Sequence, residues 1–188
     1  MGNFAENLNT LAAIGTLAGQ IFLLGVFFLW LAARFKKNSQ SGDWDRAVLK
    51  KIGSHGLIFG FIVALTAVAA SLLYSDVIGY EPCKLCWLQR IFLYPQVIIL
   101  GLALWQKTKD AATYCLTLSS LGAVVAGYHF YGQSINPNVL SACDAAGGAS
   151  CAVRFFVEFG YITIPMMSLT AFLLIIVFML LAKAAGKV

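Results

Sequence analysis

The sequence predicts an all-α integral membrane protein with five spanning helices, on three observations. Apolar residues make up 60% of the chain and charged residues only 11%, against about 25% charged in a soluble domain. Five apolar runs are close to or above the roughly 20 residues that cross a bilayer as a helix: Leu11 to Ala33, Ser54 to Leu73, Trp87 to Trp105, Ala111 to Tyr131, and Ile164 to Ala182. The basic residues between these runs gather on one side, so the formal charge of +5 reads as a topology marker rather than a nucleic-acid footprint.

The first run carries only Glu6 before it, and its positive charges follow it. It therefore reads as a retained span and not as a secretory signal. Met1-Gly2 is no myristoylation signal, because position 6 is Glu. The loop Arg34 to Lys51 holds Arg34, Lys36, Lys37, Arg46, Lys50 and Lys51; Lys107 and Lys109 follow the third run, and Lys183 and Lys187 end the chain. Lys84, Arg90 and Arg154 are the basic residues on the other side. The positive-inside rule then places the N-terminus out and the C-terminus in, as an odd number of spans requires. Gly15-x-x-x-Gly19 and Gly56-x-x-x-Gly60 are candidates for close helix contact. Pro95 inside the third run is expected to kink it and open space near Arg90.

The chemistry centres on Glu81-Pro82-Cys83-Lys84-Leu85-Cys86-Trp87-Leu88-Gln89-Arg90. A Cys-x-x-Cys pair forms a readily exchanged disulfide, and such pairs often hold one thiol of lowered pKa. Cys86 directly precedes the third run, where a helix dipole favours a thiolate, and Lys84 adds a nearby cation. Arg90 lies four residues on, on the same helix face and about 6 Å further along the axis. An arginine in an apolar run needs a partner or the interface, so it either snorkels to headgroups or faces a site shared with Cys86. Of the five cysteines, Cys83, Cys86, Cys143 and Cys151 fall on the outer side, where disulfides persist. Cys115 lies within the fourth run and reads as a small apolar packer.

A static staple is a poor reading of Cys83 and Cys86, because so small a loop stabilises little. Zinc ribbons favour two close Cys pairs, whereas Cys143 and Cys151 are eight positions apart; no metal ligands are assigned. Cys143 and Cys151 read either as a loop staple or as an exposed, exchangeable disulfide. They sit in the outer loop 132–163. Its first part, with Asn136-Pro137-Asn138 and Ala145-Ala146-Gly147-Gly148, reads as irregular and mobile. Its aromatic second part, Arg154 to Tyr161, reads as lying flat at the membrane interface. His129, near the outer end of the fourth run, reads as an interfacial polar group or as a hydrogen-bond partner for a bound quinone. His55 reads as interfacial on the cytoplasmic side.

Pro-Cys-x-Leu-Cys-x-x-x-Arg opening a span (Pro82 to Arg90) resembles the DsbB and BdbC family of bacterial membrane proteins that generate disulfides. The later Cys pair followed by Phe-Gly-Tyr-Ile-Thr-Ile-Pro (Phe159 to Pro165) is similar to the BdbC branch. The resemblance covers about residues 54 to 182. It implies a four-helix transmembrane bundle at 54–188, with residues 1–53 an added span and basic loop. It also implies a thiol oxidase of the bacterial cytoplasmic membrane, of the type known from the DsbA–DsbB–quinone route. By resemblance a reduced, DsbA-like thioredoxin-fold partner outside the cytoplasm attacks Cys143, Cys151 exchanges with Cys83, and Cys86 meets a membrane quinone (ubiquinone or menaquinone) held by Arg90, with His129 near it. The chain departs from the family in its extra first span. The shorter Cys143–Cys151 spacing leaves open which of the two reaches Cys83. A vitamin K epoxide reductase-type enzyme shares the spans and the Cys-x-x-Cys, but its loop cysteines precede that motif; a membrane scaffold with structural disulfides is the non-enzymatic alternative.

Overall fold

The computed structural model describes residues 2–35, 40–106, 108, 110–144 and 149–186. Lys36, Lys37, Lys107, Lys109, Lys187 and the stretch 145–148, read above as topology markers and mobile loop, lie outside the described residues. Among the described residues five helices are long and apolar enough to cross a membrane: α1 (Gly2–Phe35), α3 (Gly56–Leu72), α4 (Lys84–Gln106), α5 (Ala111–Ser134) and α7 (Ile164–Ala184). The chain is an all-α, multi-pass membrane protein. The helix begun by α3 runs on through a π turn, Leu73–Val77. Cys83, Cys143 and Cys151 thus share one end of the bundle with the first turn of α4, and Lys183 lies at the other, where its Nζ donates to Thr113 Oγ1 at the start of α5 (3.2 Å).

Helices α3, α4, α5 and α7 pack in a closed ring, each against two neighbours. In lipid there is no hydrophobic gain from pairing helices, so close packing and buried polar contacts hold them. Phe172 of α7 is fully buried and lies against Gly122 of α5, where a Cβ would come within 2.4 Å of its ring. Between α4 and α5, buried Ser119 donates to Gln96 Oε1 (2.9 Å). Cys115 is fully buried in this core, as a packer should be. Pro95 sits inside the unbroken α4.

Of the two glycine motifs, Gly56 and Gly60 both bring α3 onto α7: a Cβ would lie 2.5 Å from Phe178 O at Gly56 and 2.6 Å from Met179 Cε at Gly60. In the other motif only Gly19 makes such a contact, with Leu174 (2.9 Å), while Gly15 has nothing within 4 Å. Helix α1 lies outside the ring, against α7 and α2.

Two segments differ from expectation. Part of the basic loop is a helix, α2 (Gln40–Ser54). Its buried positions Asp45, Leu49 and Gly53 recur every four residues and face inward, leaving Arg46, Lys50 and Lys51 exposed. The narrow buried face, itself containing Asp45, is masked by the charges around it, so average polarity read it as loop. His55 ends this helix. The stretch Asn136-Pro137-Asn138 is likewise ordered: a 3-10 turn, Pro137–Leu140, runs into the short α6 (Ser141–Asp144). The Asn136 side chain accepts the Asn138 N–H (3.3 Å), a capping residue followed by proline being a helix-start signal.

Overpacking a tight contact costs about 1–3 kcal/mol, whereas Gly→Ala at an open helical site gains about 0.5–1 kcal/mol. Gly56→Leu should therefore unfold at lower denaturant than the parent in detergent. Gly127→Ala, with nothing within 4 Å of the added Cβ, should unfold no earlier. Equilibrium unfolding followed by circular dichroism checks both.

Candidate active site

Helix α4 begins at Lys84, three residues before the apolar run, so Cys83 rather than Cys86 is the residue just before the helix. Its Sγ accepts the backbone N–H of Cys86 (3.4 Å), the bond that a capping side chain makes with the third residue of a helix. Its carbonyl accepts from Trp87 (3.0 Å). Cys86 falls in the first turn, with its Sγ 2.9 Å from that of Cys83. Both are free thiols, and Cys143 is bonded to Cys151, with Cα atoms 6.1 Å apart.

The polar end of α5 brings the two pairs together. Cys151 is fully buried, and its Sγ, that of Cys83 and a ring nitrogen of His129 all lie within 4.8 Å of one another. The His129 ring is 1% exposed. A carbonyl can only accept, so His129 Nε2–H donates to Cys151 O (3.0 Å), and Nδ1 accepts from Gln89 Nε2 (3.0 Å). The same Nε2 faces Cys83 Sγ at 3.9 Å. One turn on, Gln133 Nε2 donates to the carbonyls of Cys151 (3.0 Å) and Val153 (2.9 Å), and Arg154 donates to Gln133 O. Leu140, fully buried, packs against this sulfur cluster. The loop cysteine is thereby docked against the bundle, and Cys151, not Cys143, is the one beside Cys83.

The aromatic segment anchors the loop by stacking. Phe155 lies on Tyr80 (4.4 Å between centroids) and Phe156 against Tyr74 (5.6 Å), which in turn stacks on Tyr80 (5.8 Å). Glu158 and Ile162 pair across a tight turn in which Phe159 and Gly160 both have positive φ. The segment is thus a turn braced on the α3–α4 connection.

Cys83 is held as a thiolate, its pKa lowered to about 4. The hydrogen bond from the Cys86 thiol is the largest cause; burial opposes it, and the hydrogen bond of His129 adds to it. The dipole-favoured sulfur is therefore Cys83, where the apolar run alone had pointed to Cys86. Lys84 is exposed.

On the other face of α4 lies a cavity of about 500 Å³, with mainly apolar walls from α1, α3, α4 and α7. Cys86, Gln89 and Arg90 line it, whereas Cys83 and His129 do not. Arg90 does not depend on headgroups for a partner: Nε donates to Ser71 Oγ (3.0 Å) and an Nη to Ser71 O (3.0 Å). Tyr94 Oη also donates to Ser71 Oγ (3.2 Å). The guanidinium lies over the Trp87 ring at 5.1 Å. Two of its five N–H donors are thus engaged on Ser71. A second, small crevice of about 20 Å³ touches Cys83, Cys86, His129 and Gln133. Cys86 alone of the two thiols meets both spaces.

The structure therefore joins Cys83, Cys86, Cys151 and His129 directly, places Cys143 one disulfide away, and sets Arg90 beside Cys86 across the cavity wall. His129 lies against the sulfurs and does not line the cavity. Sequence reasoning missed Ser71, Gln89 and Gln133. Their signal was present: polar side chains in apolar spans are expensive and seldom idle.

This architecture defines a multi-pass membrane protein of the thiol–disulfide exchanging class. The family model described as disulfide bond formation protein DsbB matches residues 54–182, and the chain belongs to that family of oxidoreductases. Disulfide bond formation protein C of Bacillus subtilis is 39% identical over 127 residues, 68% of this chain and 91% of that protein. A probable disulfide formation protein of Oceanobacillus iheyensis is 42% identical over 135 residues, 71% of this chain and 92% of that protein. One from Chlamydia caviae is 35% identical over 140 residues, 74% of this chain and 100% of that protein. No solved structure matches the chain.

An ordinary thiol titrates near 8.5, and a lowered acid pKa means the thiolate exists above the new value and is lost below it. With both pairs reduced, thiolate absorbance at 240 nm should already be present at pH 6 and disappear on acidification with a midpoint near 4. Cys83→Ser should lack this step, and His129→Phe should move it upward. A lowest step near 8.5 in the parent would contradict the assignment.

Proposed function

We propose that the chain is a membrane thiol oxidase that reoxidises a DsbA-like dithiol protein and passes the electrons to a membrane quinone. One observation carries the reading: Cys83 lies against Cys151 while its neighbour Cys86 lines the apolar cavity with Arg90, so the Cys83–Cys86 pair spans two separate sites.

The exchange steps balance as follows. A thiolate of the partner attacks Cys143 Sγ, breaking Cys143–Cys151 and releasing the Cys151 thiolate. The partner's second thiolate attacks its own sulfur in the mixed disulfide, so the partner leaves oxidised and Cys143 leaves as thiolate. Cys151 then attacks Cys83 of an oxidised Cys83–Cys86 pair, and Cys86 departs as thiolate. Attack of Cys143 on Cys151 restores the loop disulfide and frees Cys83. The low pKa of Cys83 makes it a good leaving group in that last step. The described arrangement, loop pair bonded and α4 pair free, is the one that follows it. His129 and Gln133 keep Cys151 in place and hold a hydrogen-bond donor near the Cys83 sulfur.

The cavity fits a quinone ring: its volume lies within the usual range for small-molecule sites, its walls are largely apolar, and the Arg90 donors suit an accepting oxygen. Bound there, a quinone would supply the capacity to take up two electrons and two protons from the Cys83–Cys86 dithiol. Arg90, fixed by Ser71, would orient the ring oxygen and favour negative charge on it. The sulfur end then faces the oxidising, extracytoplasmic side, with the N-terminus out and α2 and the C-terminus in the cytoplasm. Residues 1–53 form an added unit on the four-helix core of 54–188.

With a reduced thioredoxin-like donor, Cys86→Ser should abolish reduction of a soluble quinone analogue. A reduced donor lacking its second cysteine should accumulate as a mixed disulfide at Cys143 of the parent, with Cys151 released as thiolate, seen as a gel shift sensitive to reductant. Arg90→Met should raise KM for the analogue about 10- to 100-fold, as loss of a charge-assisted hydrogen bond of about 1.5–3 kcal/mol implies. A scaffold with inert disulfides would show none of these effects.

A further inference from the structure

Helix α1 lies outside the residues that the family model matches, yet it supplies one side of the apolar cavity. Leu8, Leu11, Ala12, Gly15 and Thr16 line it, at the i, i+3, i+4, i+7, i+8 spacing of a single helix face. The other side comes from α3 and α4, with α7 between. The main packing partners of α1 are α7 and α2, so the cavity occupies the gap that α1 leaves beside α3 and α4.

What holds α1 there lies just beyond the lining face. Gln20 Nε2 donates to Thr170 Oγ1 of α7 (3.2 Å), and Gln20 Oε1 accepts from Tyr161 Oη of the cysteine loop (2.5 Å). Gly19 fits against Leu174, and Phe22 packs on Phe178 (5.4 Å between centroids). The clamp explains a small residue at 19 but not at 15. Gly15 has no atom within 4 Å of where its Cβ would stand; it is exposed and lines the cavity. A helix interior disfavours glycine by about 0.5–1 kcal/mol relative to alanine, and packing on this protein does not require it. Ala12 and Thr16 flank it on the same face, and Thr16 turns its hydroxyl back to Ala12 O (2.8 Å), leaving no free donor on that wall.

We propose that α1 is the outer wall of the acceptor cavity and that its small-residue face, Ala12, Gly15 and Thr16, sets the width of the entrance for a flat quinone ring. The inference rests on the quinone reading above. It makes α1 a selectivity element: the polar hold on the ring comes from Arg90 across the cavity, and α1 contributes only shape.

The test uses the full chain in detergent. Decylubiquinone affinity is read from quenching of tryptophan fluorescence, and an azido-substituted short-chain ubiquinone is photocrosslinked and mapped by peptide mass. The parent should be labelled within residues 8–16. Gly15→Phe should weaken binding at least tenfold while keeping its melting temperature and its Cys143–Cys151 disulfide; Gly15→Ala should weaken it less than twofold. Leu11→Ala should shift preference toward the wider naphthoquinone menadione. Unchanged affinity in a folded Gly15→Phe, or labels confined to α3, α4 and α7, overturns the role of α1 and leaves the quinone reading intact. Absence of both quenching and labelling in the parent overturns the quinone reading itself.

Discussion

A single buried imidazole holds the two redox pairs in register. His129 reaches from α5 to the Cys151 carbonyl on one side and to Gln89 of α4 on the other, and its Nε2 faces the Cys83 sulfur. Without it, the buried Gln89 amide would lose its partner on His129, at about 1–3 kcal/mol, while the Cys151 carbonyl would keep its bond from Gln133. The loop cysteine would lose one of the bonds that dock it, Gln133 supplying another. The docking of buried Cys151 beside Cys83 follows from this placement, and the imidazole adds to the lowering of the Cys83 pKa that the Cys86 thiol chiefly causes.

The start of α4 gives this juxtaposition the form of the proposed relay. Because the helix begins at Lys84, Cys83 caps it and Cys86 lies one turn inside, so one sulfur meets the loop and the other meets the cavity. Arg90 follows Cys86 by roughly one turn and is fixed by Ser71 of α3. The proposed transfer from a dithiol partner to a quinone needs two separate faces. Lys84 and Leu85 lie between the two sulfurs that meet them, and the aromatic stack of Tyr74, Tyr80, Phe155 and Phe156 braces the loop.

Most of the architecture was legible in hydropathy, since a spanning helix must satisfy its backbone internally and so shows as a long apolar run. The Cys-x-x-Cys motif and Arg90 were legible because reactive thiols and intramembrane charge are rare and specific. Other features were not, for identifiable reasons. Helix α2 hides a narrow buried face, Asp45, Leu49 and Gly53, among its charges. The true start of α4 is set by local capping, not by where hydrophobicity begins, which moved the low-pKa assignment from Cys86 to Cys83. The docking of Cys151 depends on Gln133 and His129, which are 18 and 22 residues away in sequence. No local pattern encodes that contact, and spacing alone could not tell Cys143 from Cys151.

The central claim is that Cys83 and Cys151 are the sulfurs that meet. It is tested most directly in a Cys86→Ser, Cys143→Ser double variant, oxidised mildly and digested for peptide mass analysis. The account predicts a Cys83–Cys151 disulfide in that protein and no bond between Cys86 and Cys143 in the complementary Cys83→Ser, Cys151→Ser variant. Formation of the second bond as readily as the first would contradict it.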